Sequence, residues 1–81
     1  MIFRSEDIEM TNERLLKVHG IVTDLWKNYR ANYEIMSNTD AWWDSLIDSQ
    51  QEIAKKYNDD QLVIDLAIAL FNDLERICKA S

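Results

Sequence analysis

The 81-residue chain has no proline, one glycine (Gly20), one cysteine (Cys78) and one histidine (His19). Without proline and with a single glycine, the punctuation that ends strands and builds tight hairpins is nearly missing, so helices joined by Asn, Asp, Ser and Thr are expected. A lone cysteine excludes an internal disulfide. On an apolar face near the C-terminus, Cys78 suits a small buried hydrophobe in a reducing compartment, and a cytoplasmic location is expected. His19 has no Glu or His at metal-ligand spacing, Cys78 lacks the electropositive setting that makes a thiolate, and there is no glycine-rich loop or cofactor signature. No catalytic residue, metal or cofactor is therefore expected, and the chain reads as non-enzymatic.

Long apolar runs are also missing. The longest block, residues 66–71, is far too short to cross a bilayer, and Met1-Ile2-Phe3-Arg4 runs straight into Ser5-Glu6-Asp7 rather than into the apolar stretch of a signal peptide. No membrane partner is expected.

What is present is a chain that is 47% hydrophobic and 30% charged, enough to build a core and too apolar for a disordered tail. One helical domain over residues 1–81 follows, without repeat or linker. A chain of this size buries only about 60% of its unfolded surface, so self-association would add stability. The formal charge of −6 is uneven. Residues 1–39 carry five Lys or Arg against six acids, whereas residues 40–81 carry four against nine. Direct nucleic-acid binding is therefore not expected, and a partner of the C-terminal half should be basic or apolar.

Three segments follow the helical period of about 3.6 residues, which makes the fold class an all-α three-helix bundle. The first helix starts at Ser5 or Thr11 and ends near Met36, with Leu15, Val18, Val22, Leu25, Trp26, Tyr29, Tyr33 and Met36 on one stripe, and Ile8 in line if the helix begins early. Ser37-Asn38-Thr39-Asp40 supplies turn and cap residues, so a second helix begins at Asp40 or Ala41 and ends near Tyr57, forming an antiparallel hairpin with the first. Asn58-Asp59-Asp60 repeats the device, and a third helix runs from about Asp60 to Lys79. Leu25, Tyr29, Leu46, Ile53, Leu66, Leu70 and Leu74 are the expected core.

Two features of the second helix stand out. Trp42 and Trp43 lie about 100° apart and flank its apolar face. Each ring can pack on a different neighbour, one on the first helix and one on the third, or one ring can form an interface hot spot. Asp40, Asp44, Asp48 and Glu52 recur every four residues on the opposite side, about 6 Å apart. That row reads as a solvated face, with Asp44 and Asp48 level with Arg30 and Lys27 across the hairpin. Its spacing also approaches that of phosphates along a strand, so it could occupy the nucleic-acid site of a basic protein. A straight ladder on one helix does not converge on a cation.

The third helix is apolar round about two-thirds of its circumference, more than two neighbours can cover. It is expected to be central or to lie at a homodimer interface through Ile64, Ile68 and Phe71, unless the first helix and the Ile2-Phe3 arm cover it. The functional expectation is a non-enzymatic interaction module that self-associates and binds another protein through Trp42, Trp43 and the acids. The alternative is an acidic nucleic-acid mimic, of the kind a phage or mobile element uses to block a basic enzyme.

Overall fold

The computed structural model describes residues 5–80, with side-chain surroundings from Asn12 onward. The chain forms three helices, α1 (Ser5–Glu34), α2 (Asp40–Lys56) and α3 (Gln61–Ala80), with no strand among the described residues. The expected Ile2-Phe3 arm and the side chain of Ile8 lie outside them.

Each reversal is made by the residues that the composition left available. Thr39 caps α2, its hydroxyl accepting the Trp42 N–H at 3.2 Å. At the other end Asn58 turns left-handed, its N–H donates to the Lys55 carbonyl, and the Asp59 N–H donates to that of Ala54 at 2.8 Å. This is the paired closure that glycine usually makes. Asn38, Asn58 and Asp59 all have φ near +55°, where Asn and Asp are the L-residues best tolerated. Asp60 then caps α3 through the Leu62 N–H at 2.9 Å. The same carboxylate takes Arg14 and Lys17 from α1 at 2.5 and 3.2 Å, tying the start of α3 to α1.

Contacts between α1 and α2 run in opposite chain order, Asn32 with Trp42, Asn28 with Ser49 and Asp24 with Lys56, as in an antiparallel hairpin. Ring contact of Trp43 with Phe71 and the bond from Gln50 to the Ala67 carbonyl place α3 against α2 in the same opposed sense. The interior has two clusters. Ile21, Leu25, Val63 and Ala67 form one, and Trp42, Leu46 and Leu74 the other.

Of the expected core, Leu25, Leu46 and Leu74 are fully buried. Tyr29, Ile53, Leu66 and Leu70 pack at its edge instead. The larger correction is on α1. Leu15, Val22, Trp26 and Tyr33, placed on its inward stripe from their spacing, are exposed. The inward line is Ile21, Leu25, Asn28 and Asn32, rotated by roughly 80° from the centre of the apolar stripe. Two bonds to α2 fix the rotation: Asn28 bonds Ser49 at 2.7 Å, and the Asn32 carbonyl accepts the Trp42 indole N–H at 3.1 Å, while the Asn32 side chain is satisfied by the Asn28 carbonyl of its own helix. Polar groups with partners occupy the interior, and one edge of the apolar stripe is left outside.

Gly20 sits where α1 passes under Tyr57. A Cβ there would stand 2.7 Å from the Tyr57 hydroxyl, which donates to Asp24 at 2.7 Å, but 3.5 Å or more from the ring carbons. In a free helix Gly→Ala gains about 1 kcal/mol. Here Gly20→Ala should instead lower stability by about 1 kcal/mol, by displacing the hydroxyl from its acceptor. In a Tyr57→Phe background the same substitution should become stabilising. Denaturant midpoints of the four proteins in this cycle measure the reversal.

Candidate functional site

The acid ladder stands on the outward side of α2. Asp40, Asp44, Asp48 and Glu52 are all exposed, and none makes an ion pair within 4 Å among the described residues. The expected pairs of Asp44 and Asp48 with Arg30 and Lys27 do not form. Arg30 bonds Glu34 on its own helix at 3.1 Å, and Lys27 lines a cleft between α1 and α2 together with Glu52. The level along the hairpin is as expected, but the rotation of α1 turns Arg30 away from α2. The ladder also drifts round the helix, about 40° per step, so that its fourth member faces the cleft while the first three face solvent.

That cleft, of about 430 Å³, is lined by Asp24, Lys27, Asn28, Ser49, Glu52, Ile53 and Lys56. Asp24 is its most engaged group. Lys56 and the Tyr57 hydroxyl both donate to it, at 2.8 and 2.7 Å, and hold its carboxyl below the usual range. The Tyr57 phenol is raised by the same bond. At the far side of α1, Tyr29 donates to Asp73 at 2.6 Å, which, with burial, pushes the phenol up to about 12 and lowers Asp73. These tyrosines act as fixed donors that bind the helices together.

The tandem tryptophans have separate roles. Trp42 is 5% exposed, and its indole N–H donates to the Asn32 carbonyl at 3.1 Å inside the molecule. Trp43 is half-buried. It meets Trp42 edge-on with centroids 4.6 Å apart, lies against Phe71 of α3 at 5.1 Å and donates to the Asn38 side chain at 2.9 Å. One ring thus serves α1 and the other α3. Of the residues expected to meet a partner, Trp43 has a rim in solvent while Trp42 is enclosed.

Ile64, Ile68 and Phe71 come together with α2. With Ile47, Gln50, Gln51, Ala54 and Ala67 they line an open groove of about 290 Å³ between α2 and α3. Ile68 is 55% exposed and Ile47 39%. Beyond the groove, on the outer side of α2, helical geometry places Asp44, Lys55 and Asp48, and on that of α3 Asp65, all exposed. The spacing of α3 pointed to its own three residues, whereas the contribution of Ile47 and Ala54 required knowing how α2 is rotated.

His19 is exposed on the N-terminal half of α1, and Cys78, near the end of α3, packs against the second core cluster, so the two do not meet. Among the described residues no group of three or more His, Cys, Asp or Glu converges to hold a metal ion, and no helix is long and apolar enough to cross a membrane. The exposed edge of α1 escaped sequence reading altogether. Its signal was the in-register Ile21, Leu25, Asn28 and Asn32, a second inward line beside a stripe too wide to be buried whole. No protein-family model, curated protein or solved structure matches the chain.

Trp42→Phe should lower stability by about 1–3 kcal/mol, because it strands a buried carbonyl. Trp43→Phe should cost less than half as much, since the Asn38 amide it releases is exposed and can turn to water. Chemical denaturation of both variants checks the ranking. Acid should also unfold the protein. The carboxyls of Asp24, Asp60 and Asp73 are all held below their unfolded values by donors, so their stabilisation is complete above about pH 4 and is lost as pH falls toward the folded values. Asp60→Asn should lower the midpoint at pH 7 and flatten its decline between neutral and acid pH.

Proposed function

We propose that the chain is a non-enzymatic, cytoplasmic interaction module that self-associates and holds another protein. The groove between α2 and α3 carries this reading. Ile47, Ile64, Ile68 and Phe71 offer apolar contact along two adjacent helices, at the spacing that receives an amphipathic helix laid between them. The rim contributes Asp44, Asp48 and Asp65 against the single cation Lys55, so the fitting partner has an apolar stripe flanked mainly by Lys or Arg. A second copy of this acidic chain fits the groove less well, because it would bring the same carboxylates against each other.

A second reading rests on the unpaired row Asp40, Asp44 and Asp48. Presented to a basic enzyme, it would occupy a nucleic-acid site as a mimic of the phosphate backbone, as inhibitors from phages and mobile elements do. The two readings differ in what holds the complex. Apolar contacts persist in salt, whereas a bond made of surface charge weakens steeply.

A Lys-rich amphipathic peptide with Leu at helical spacing is a suitable probe. Its titration, followed by amide chemical shifts, should perturb Ile47, Gln51, Ile64 and Ile68, and Ile68→Glu should weaken binding at least tenfold. Binding that is untouched by Ile68→Glu but lost in an Asp40→Asn, Asp44→Asn, Asp48→Asn triple variant or in moderate salt would overturn the groove reading in favour of the mimic.

A further inference from the structure

The exposed apolar surface of this molecule lies mainly on α1. Leu15 is 58% exposed, Leu16 76%, Val22 47%, Trp26 56% and Tyr33 49%, and all five belong to that helix. Leu15, His19, Val22, Trp26, Tyr29 and Tyr33 follow one another at alternating steps of four and three, which is the seam of a two-stranded coiled coil. Leu16 lies about 100° off that seam, and the exposed parts of the four apolar residues on it come to roughly 450–500 Å², against roughly 800 Å² per partner in a standard interface. That is within the range, roughly 300–600 Å², of the largest apolar patch on an ordinary monomer, a patch that is often functional.

We infer that α1 is the surface through which two copies of this chain join, antiparallel, about a two-fold axis that crosses the outer face of α1 at the level of residue 24, opposite the side on which Asp24 meets α2. The inference rests on the reading of the chain as a self-associating module and moves that contact away from α3. Two observations select a second copy as the occupant. The seam is complementary to itself when reversed. Its N-terminal half is aliphatic, Leu15 and Val22, and its C-terminal half aromatic, Trp26 and Tyr33, with the same intervals read from either end. Turned about residue 24, Leu15 of one copy lies over Tyr33 of the other and Val22 over Trp26, so aliphatic groups meet aromatic rings in four layers, with His19 over Tyr29 in the two between.

The aromatic half is also hollow. Trp26, Tyr29 and Tyr33 stack along α1 at 6.4 and 6.2 Å, and with Arg30 and with Ile77 of α3 they line a cleft of about 400 Å³ that aliphatic side chains can fill.

The second observation is charge. Residues 12–34 carry four Lys or Arg against three acids, in a chain whose net charge is −6. Over the whole of α1 the count is four against six, still nearer balance than residues 40–81 with four against nine, so copies approach there with less repulsion than across α2 or α3. On the faces of α2 and α3 they would meet carboxylate to carboxylate.

The test uses the whole chain in sedimentation and light scattering at about 100 µM, where a contact of about 10 µM Kd or tighter is mostly formed. The parent should be a dimer. Leu15→Glu and Trp26→Glu should each weaken it at least tenfold with helical circular dichroism unchanged, and Ile68→Glu on α3 should leave it intact. In a Cys78→Ser background, a short bis-maleimide should join two copies through Thr23→Cys, close to the axis. It should not join them through Asn12→Cys, where the antiparallel arrangement puts the two sites roughly 36 Å apart. Cross-linking at both positions would reject the antiparallel arrangement. A dimer broken by Ile68→Glu and not by the α1 variants would leave self-association standing and overturn the α1 surface. A monomeric parent would overturn both.

Discussion

The indole of Trp42 and the carbonyl of Asn32 set the rotation of two helices at once. Asn32 lies in the last turn of α1, where carbonyls lose their helical donors, and the Met36 N–H that would have served it turns to Tyr33 instead. Trp42 supplies the missing donor from inside the molecule. For α2 this turns Trp42 inward and leaves Trp43 against Phe71, with the acid ladder outward. For α1 it holds Asn32 inside, in line with Asn28, Leu25 and Ile21. The exposure of the Leu15, Val22, Trp26 and Tyr33 edge follows from that line.

The three surfaces that result differ in charge as well as shape. Outward α2 is a row of carboxylates, the α2/α3 groove is apolar with a mainly acidic rim, and α1 presents over residues 12–34 an apolar edge among nearly balanced charges. Charge sorts the occupants these faces can take. A basic helix suits the groove, whereas two identical acidic chains meet best where each is least acidic. Within one chain the acids that matter to the fold are others, Asp24, Asp60 and Asp73, each of which accepts two or more donors and joins one helix to another.

Local rules made the helices legible. Thr39 and Asp60 cap, Asn58 closes a C-terminus, and five of the six observed ends fall within two residues of those read from caps and periodicity, while the start of α1, left between Ser5 and Thr11, is at Ser5. The division of the tandem tryptophans between α1 and α3 was one of the arrangements their 100° separation allows. What could not be read was rotation. A stripe of eight apolar residues on α1 fits either of two orientations, and the choice fell to Asn28 and Asn32, whose partners Ser49 and Trp42 lie on another helix. The same rotation explains why Arg30 misses Asp44 and why Ile47 joins the groove. Hydropathy ranks residues for the interior one at a time, whereas a satisfied polar pair is a property of two positions far apart in the chain.

The two chain reversals, made within a few residues and without a proline, bear on how fast this fold is reached. Neighbouring helices meet across short closures, so little loop entropy is lost before native contacts form, and no prolyl bond has to isomerise. The single chain should therefore collapse to its native form well within a second. Any slower phase in refolding that quickens with protein concentration would then be a bimolecular event, so the time course of refolding separates the making of the bundle from the meeting of two bundles.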